Sequence, residues 1–349
     1  MDIPILNIYY LLSYAWNKLE EADLVSVGQI DKNDAQNLFG RVLSNGTSYL
    51  IRRGLDRGYI EHREESRIIR GKINLTPTIK KNLLMDARVD CSFDELSYNV
   101  LHNRILKSTI RALMNTENVD KTIRDELSLS YRKLEAIEEI ELRKNLFRRL
   151  HFNRNNFFYD FLMNICKLIT DNLIVDEEGK TNKFKDFLRD DKVMRYLFEA
   201  FVGNFYKKHK EEHGFNVGTQ KRIDWIAKPL DESSKDYLPK MIADVILESP
   251  ERKIVLDSKY YKETLQEHHG KKTIHSDNLY QIFSYIKNLE ALGGLNEVCE
   301  GILLYPTIDP SFPGADYEIH GHKVSVRTIN LNQEWRGIHE DMLGFIGVN

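Results

Sequence analysis

Two short apolar runs hold the charged residues best placed to do chemistry in this chain. Met241-Ile242-Ala243-Asp244-Val245-Ile246-Leu247 and Ile254-Val255-Leu256-Asp257-Ser258-Lys259-Tyr260-Tyr261 each read as a strand. A charge among aliphatic neighbours is costly unless it is paired. Strand side chains alternate, so Asp257 and Lys259 are expected on one face and Ser258 on the other. If the polar segment Glu248–Arg252 turns the chain, the strands form a hairpin and Asp244 approaches the face of Asp257. Two converging carboxylates make a hard-oxygen site suited to Mg²⁺, whose ligands are typically carboxylates, waters and substrate phosphate. A lysine beside such an ion orients or deprotonates an attacking water and stabilises the charge of a phosphoryl-transfer transition state. The bland alternative is an edge ion pair between Asp257 and Lys259, with Asp244 capping a turn.

The surrounding residues favour the chemical reading. A long helix over about residues 186–208 precedes the strands and carries Glu199, in reach of the site as a further metal ligand or a support for one. After the lysine, a helix expected over 278–289 sets Gln281 and Tyr285 four apart on one face. This order resembles the PD-(D/E)XK nuclease superfamily, here as Glu199, Asp244, Asp257-Ser258-Lys259 and Gln281-Ile282-Phe283-Ser284-Tyr285. Ala243 stands where that superfamily usually has a proline. The expected catalytic set is Asp244, Asp257 and Lys259, with Asp244 and Asp257 as metal ligands and Glu199, Gln281 and Tyr285 in support.

Longer blocks narrow the resemblance. Asn7-Ile8-Tyr9-Tyr10-Leu11-Leu12-Ser13-Tyr14-Ala15-Trp16, Ser130-Tyr131-Arg132-Lys133-Leu134, Asp257-Ser258-Lys259-Tyr260-Tyr261-Lys262, His275-Ser276-Asp277-Asn278-Leu279-Tyr280-Gln281, Leu304-Tyr305-Pro306 and Asn330-Leu331-Asn332-Gln333-Glu334-Trp335 span nearly the whole chain. They are similar to the McrC subunit of the McrBC modification-dependent (5-methylcytosine) restriction systems. That resemblance implies a Mg²⁺-dependent endodeoxyribonuclease acting with a separate AAA+ ring protein, McrB. The partner, not this chain, would bind GTP and recognise the methylated cytosine, and the substrate would be double-stranded DNA. The resemblance also implies that the N-terminal region docks into the ring and stimulates its GTPase. Two alternatives stay open at this point: a non-catalytic activator and assembly module of the ring, and a stand-alone RecB-like repair nuclease.

These residues need elements to position them. At 349 residues the chain exceeds an ordinary single core, so two domains are expected. Residues 1–180 read as a helix-rich α+β docking domain, with amphipathic helices over Ile5–Leu19, from near Asp34 through Leu50 with an interruption at Gly46, and over 97–113, 119–134 and 156–173. Residues Tyr59 to Thr76 switch to short alternating runs such as Arg67–Leu75, closed by Pro77, which read as one or two strands. Residues 181–349 read as an α/β nuclease domain of the restriction-endonuclease type, with further strands over 299–305 and 317–331.

Composition sets outer limits. Lys+Arg 50 against Asp+Glu 53 gives a net charge of −3, which disfavours coating nucleic acid by bulk electrostatics and suits a nuclease delivered by a partner. Local basic clusters at Arg143, Lys144, Arg148, Arg149 and Arg154, and at Arg52, Arg53 and Arg57, are candidates for phosphate or partner contact. No apolar run reaches the roughly 20 residues of a membrane span, so no membrane association is expected. Three widely spaced cysteines leave one unpaired under any disulfide scheme, which points to a reducing cytoplasm. Gly270-Lys271-Lys272-Thr273 lacks the upstream glycine of a phosphate loop, and His268, His269, His320 and His322 read as surface histidines.

Overall fold

The computed structural model describes residues 3–25, 35–153, 156–175, 182–228, 230–231, 237–261, 265–268, 271–309, 312 and 314–347. In chain order its elements are α1 (Ile5–Ala15), α2 (Leu19–Asp23), α3 (Ala35–Arg53), β1 (Gly58–Ser66), β2 (Lys72–Ile73), α4 (Leu75–Lys80), β3 (Val89–Ser97), α5 (Leu101–Met114), α6 (Lys121–Lys133), α7 (Phe157–Asn172), β4 (Leu173–Val175) and β5 (Asn182–Phe184). There follow α8 (Asp191–Lys208), α9 (Lys210–His213), β6 (Asn216–Ile223), β7 (Met241–Glu248), β8 (Lys253–Ser258), β9 (Gln266–His268), β10 (Lys271–Thr273), α10 (Ser276–Glu290), β11 (Glu300–Thr307), β12 (Ala315–Ile319), β13 (His322–Asn330) and α11 (Trp335–Gly344). Two compact units result: Met1–Leu19 with Asp31–Asn33 and Asp186–Asn349, and Glu20–Ile30 with Asp34–Lys185.

The chain crossing near residue 185 lies close to the expected boundary, but the opening segment corrects the expected 1–180 domain. It belongs to the unit that holds Asp186–Asn349. The reason is the burial of α1: Ile5, Asn7, Ile8, Tyr9, Leu11, Leu12, Ser13 and Tyr14 are all buried, more than one stripe of the helix. It packs on α8, and its polar Asn7 is satisfied by donating to the carbonyls of Leu331 and Gln333, each at 2.8 Å. Asn204 of α8 in turn donates to the Tyr14 and Ala15 carbonyls that end the helix, at 3.0 and 3.1 Å.

In the Glu20–Lys185 unit, α3, α5, α6 and α7 pack on one another. Gly46 does not interrupt α3. A Cβ there would lie 2.6 Å from Leu162 Cδ2, so the glycine marks the closest approach of α7. The same unit carries a three-stranded antiparallel sheet in the order β1-β3-β2, and most of β1 is exposed. Two strands lie in the expected 59–76 stretch, Gly58–Ser66 and Lys72–Ile73, but both pair with Val89–Ser97, which was not expected; only Lys72–Ile73 of the Arg67–Leu75 run is extended, and Pro77 sits in the first turn of α4. Proline is tolerated in a first turn because its missing N–H has no partner to lose.

The unit holding Asp186–Asn349 is built on a six-stranded mixed sheet in the order β12-β13-β11-β8-β7-β6. Strands β8, β11 and β13 run parallel, and β6 and β7 continue the sheet antiparallel. Ile282, Tyr285, Ile286 and Leu289 of α10 cover one face and share a core with Val255, Leu303, Val324 and Val326. On the other face α8 comes close at Gly203, where a Cβ would meet Thr219 Cγ2 at 2.9 Å.

Candidate active site

The expected hairpin is present: Glu248 pairs with Lys253, and the β7–β8 ladder runs on to Val245 opposite Leu256. One step further along that register stand Asp244 and Asp257, where the ladder has ended. The strands part there, and the Asp244 carboxylate replaces the backbone acceptor that β8 has lost. Its Oδ2 accepts from the Ser258 N–H at 2.8 Å and from the Ser258 hydroxyl at 2.7 Å. Ser258, expected to point away, is thus a direct partner of Asp244.

Asp257 is 1% exposed, and its Oδ2 forms an ion pair with the Lys259 ammonium. Lys259 lies just past the end of β8, its N–H donating to Leu304 O at 2.8 Å and so extending the pairing with β11. From its Nζ a chain of hydrogen bonds runs inward. Lys259 donates to Gln281 Oε1 at 2.7 Å, Gln281 Nε2 donates to the Tyr285 hydroxyl at 2.6 Å, and Tyr285 donates to Ile242 O at 2.9 Å. The i, i+4 spacing on α10 therefore anchors the lysine to the backbone of the strand that carries Asp244.

Glu199 faces the same group from α8. Burial, helped by the charges of Asp244 and Asp257, pushes its carboxyl up to about 7. A hydrogen bond from Gln220 Nε2 and the Lys259 charge oppose that rise. Asp257 is pushed up to about 6, by burial first and Asp244 second, against the pull of Lys259. Three carboxylates and a single ammonium thus converge, an excess of negative charge in a partly desolvated place. Asp257 Oδ2 is sealed from solvent without a well-formed hydrogen bond, although the ammonium lies against it. Oxygen donors of this kind fit a hard divalent cation better than they fit one another.

All six residues singled out from the sequence, Glu199, Asp244, Asp257, Lys259, Gln281 and Tyr285, are therefore gathered at one place. The McrBC family model, described as a 5-methylcytosine restriction system component, matches residues 7–306. The chain belongs to the McrBC family. It is 35% identical over 341 residues to the Type IV methyl-directed restriction enzyme EcoKMcrBC of Escherichia coli K12, covering 98% of this chain and 96% of the relative. A solved chain from the half-complex of the tetradecameric assembly of Thermococcus gammatolerans McrB AAA+ hexamers with bound McrC has a similar fold, with a TM-score of 0.61 at 17% identity. That similarity covers 98% of this chain and 76% of the solved one. The resemblance read from the sequence blocks is borne out at the level of the McrBC family.

Ser258 and Gln220 are the site residues that the sequence reading missed. Gln220 lies opposite Asp244 in register, between the pairs Thr219–Val245 and Lys221–Ala243, and has a left-handed φ of 51°. Side chains on its two sides enter different layers: Thr219 and Val245 meet α8, whereas Ile223, Met241 and Ala243 join the α10 core. A strand residue with positive φ gives no signal in a polar sequence such as Asn216–Ile223.

Four of the basic candidates have partners within the chain. Arg143 pairs with Glu141 and Lys144 with Asp171, while Arg53 lies over the Phe157 ring and Arg57 over the Tyr98 ring. Arg154, His269 and Gly270 fall outside the described residues. His322 is not a surface residue: it is 1% exposed, with Nδ1 2.9 Å from Cys299 O. Lys271–Thr273 form a strand rather than a phosphate loop. No described helix is long and apolar enough to cross a membrane.

Proposed function

We propose that this chain is the DNA-cleaving subunit of a GTP-dependent, methylcytosine-directed restriction complex, a Mg²⁺-dependent endodeoxyribonuclease with a PD-(D/E)XK core. The observation that carries the reading is the buried Asp257–Lys259 pair beside Asp244, with the lysine held by Gln281. Asp244 and Asp257 would hold the ion, with Glu199 as a third carboxylate nearby. When bound, Mg²⁺ would supply Lewis-acid stabilisation of the phosphodiester and a more acidic water.

The protein's own groups do the rest. Gln281 and Tyr285 fix the Lys259 ammonium, so it can orient an attacking water and offset charge on the phosphate without reorganising. Ser258 holds one oxygen of Asp244 and leaves the other for a cation. Glu199, on the helix side of the same group, adds a third carboxylate facing the ion's place.

The Glu20–Lys185 unit suits a docking and GTPase-stimulating role toward an AAA+ ring that binds the GTP. Around the β1–β3 sheet, Ile68, Ile69, Leu84 and Met85 are exposed, the last by 88%, and such a concentration of apolar surface marks an interaction site. Three buried, unpaired cysteines suit action in the cytoplasm.

The test is cleavage of methylated and unmethylated duplex DNA with Mg²⁺, with and without the ring and GTP. Cleavage that needs the methyl group, the ring and Asp257 together supports the proposal. Equal cleavage without the ring would favour a stand-alone nuclease, and GTPase stimulation without any cleavage would favour an activator.

A further inference from the structure

The C-terminal end of α8 carries a second set of ligating side chains, separate from the carboxylate site. His209 ends α8, Glu212 lies in α9 and His339 in α11, and one ligand atom of each lies within 4.8 Å of the others. Glu212 Oε2 is 3.1 Å from His339 Nε2, while its Oε1 meets His209 Nδ1. The two imidazoles stand edge to face, centroids 4.4 Å apart at 90°, so their nitrogens converge on the carboxylate between them. Tyr14 of α1 closes the back of the group, its hydroxyl 2.8 Å from His209 Nε2.

We propose that His209, Glu212 and His339 form a binding site for a borderline transition cation, Zn²⁺ above all, which links α11 to the α8–α9 corner. Two imidazoles and a carboxylate are a donor set that Zn²⁺ uses, whereas Mg²⁺ prefers oxygen alone. Ligands bonded at roughly 2.0–2.1 Å to a tetrahedral ion lie about 3.3 Å apart, so closing the cluster takes movements of about an ångström. Glu212 is 45% exposed, which leaves the fourth position to solvent. With Nδ1 on the ion, His209 carries its proton on Nε2 and donates it to Tyr14, which fixes the tautomer and the ring's orientation. His209 and Glu212 are only three residues apart, but the third ligand, His339, lies 127 residues beyond Glu212, so the local pair alone does not reveal the set.

The test uses the full chain in excess Mg²⁺, loaded with Zn²⁺, passed through gel filtration and assayed for zinc by mass spectrometry. Co²⁺ absorption reads the geometry. The expected result is one zinc per chain, tetrahedral Co²⁺ bands and a Zn²⁺-dependent rise in melting temperature. Glu212→Gln and His339→Asn, at half-exposed positions where circular dichroism can verify folding, should each weaken binding 10-fold or more. Tyr14→Phe should weaken it less, and Asp257→Asn should leave it intact. Zinc retained equally by the Glu212→Gln/His339→Asn double variant, zinc lost in Asp257→Asn, or no zinc retained by the wild-type chain would each overturn the proposal.

Discussion

Lys259 donates a hydrogen bond to Gln281 Oε1 at 2.7 Å while its ammonium stays in an ion pair with Asp257, so one lysine is held between a strand and a helix. Replacing Lys259 by Ala should lower single-turnover cleavage in the assembled complex by at least about 10²-fold, the low end for a positioned proton-transfer group. Gln281→Ala keeps the charge but releases its anchor. A loss of about 10-fold in kcat, with KM little changed, is the expected result. Full activity in the Gln281 variant would remove the positioning role.

The raised carboxyls set a pH dependence of stability in the metal-free chain. Asp257 is pushed up to about 6 and Glu199 to about 7, so both bind a proton more tightly folded than unfolded. The folded state therefore holds more protons between roughly pH 4 and 7, and stability falls as pH rises through that window. Asp257→Asn removes the more deeply buried of the two carboxyls. It should raise the metal-free melting temperature at pH 8, by an amount on the order of 2 kcal/mol in stability, and flatten its fall between about pH 4 and 6. A melting temperature that rises with pH in the wild-type chain would contradict this.

Gln220 combines a left-handed φ of 51° with a hydrogen bond to Glu199. The two properties separate under substitution. Gln220→Gly relieves the backbone and should unfold at the same denaturant concentration or higher. Gln220→Val, β-branched at positive φ, should cost on the order of 1–3 kcal/mol. Both remove the bond to Glu199, so both should change the Mg²⁺ concentration needed for cleavage. Chemical denaturation and a Mg²⁺ titration read the two effects independently.

The contrast between these residues marks what the sequence could reveal. Asp244, Asp257 and Lys259 were legible because charges inside aliphatic runs violate the strand pattern, and Gln281 and Tyr285 because i, i+4 spacing is local. Ser258 was misplaced because alternation was carried past the point where the ladder ends. Strand β6 was missed because an edge strand needs no apolar alternation, and β3 because its buried positions include the polar Asp90. Gly46 read as a breaker because nothing local announces that Leu162 needs the space.

That space makes a prediction for the helical unit. Gly46→Ala should gain up to about 1 kcal/mol in helix propensity, yet its Cβ would lie 2.6 Å from Leu162 Cδ2, and Leu162 is fully buried. Overpacking of this kind costs about 1–3 kcal/mol, so the net effect is a loss. Equilibrium unfolding followed by fluorescence or circular dichroism decides the sign, and a more stable variant would show that α7 can shift.

The last prediction follows from the place of α1. It buries Ile5, Ile8, Leu11 and Leu12, stacks Tyr10 on Trp335 with centroids 4.7 Å apart, and satisfies Asn204 through its final carbonyls. A fragment of residues 186–349 therefore exposes Phe201, Phe205 and Trp335 where Tyr14 had covered them, and leaves the Leu331 and Gln333 carbonyls without Asn7. Burial of one large apolar side chain is worth about 1.5–3 kcal/mol, so the loss of several exceeds what a marginally stable domain can absorb. The 186–349 fragment should aggregate or show a molten, broadened unfolding transition. The same fragment with residues 1–19 joined through a flexible linker should recover a cooperative transition and a monomeric elution volume. If 186–349 alone unfolds as sharply as the linked form, α1 is an accessory of that unit and not part of its core.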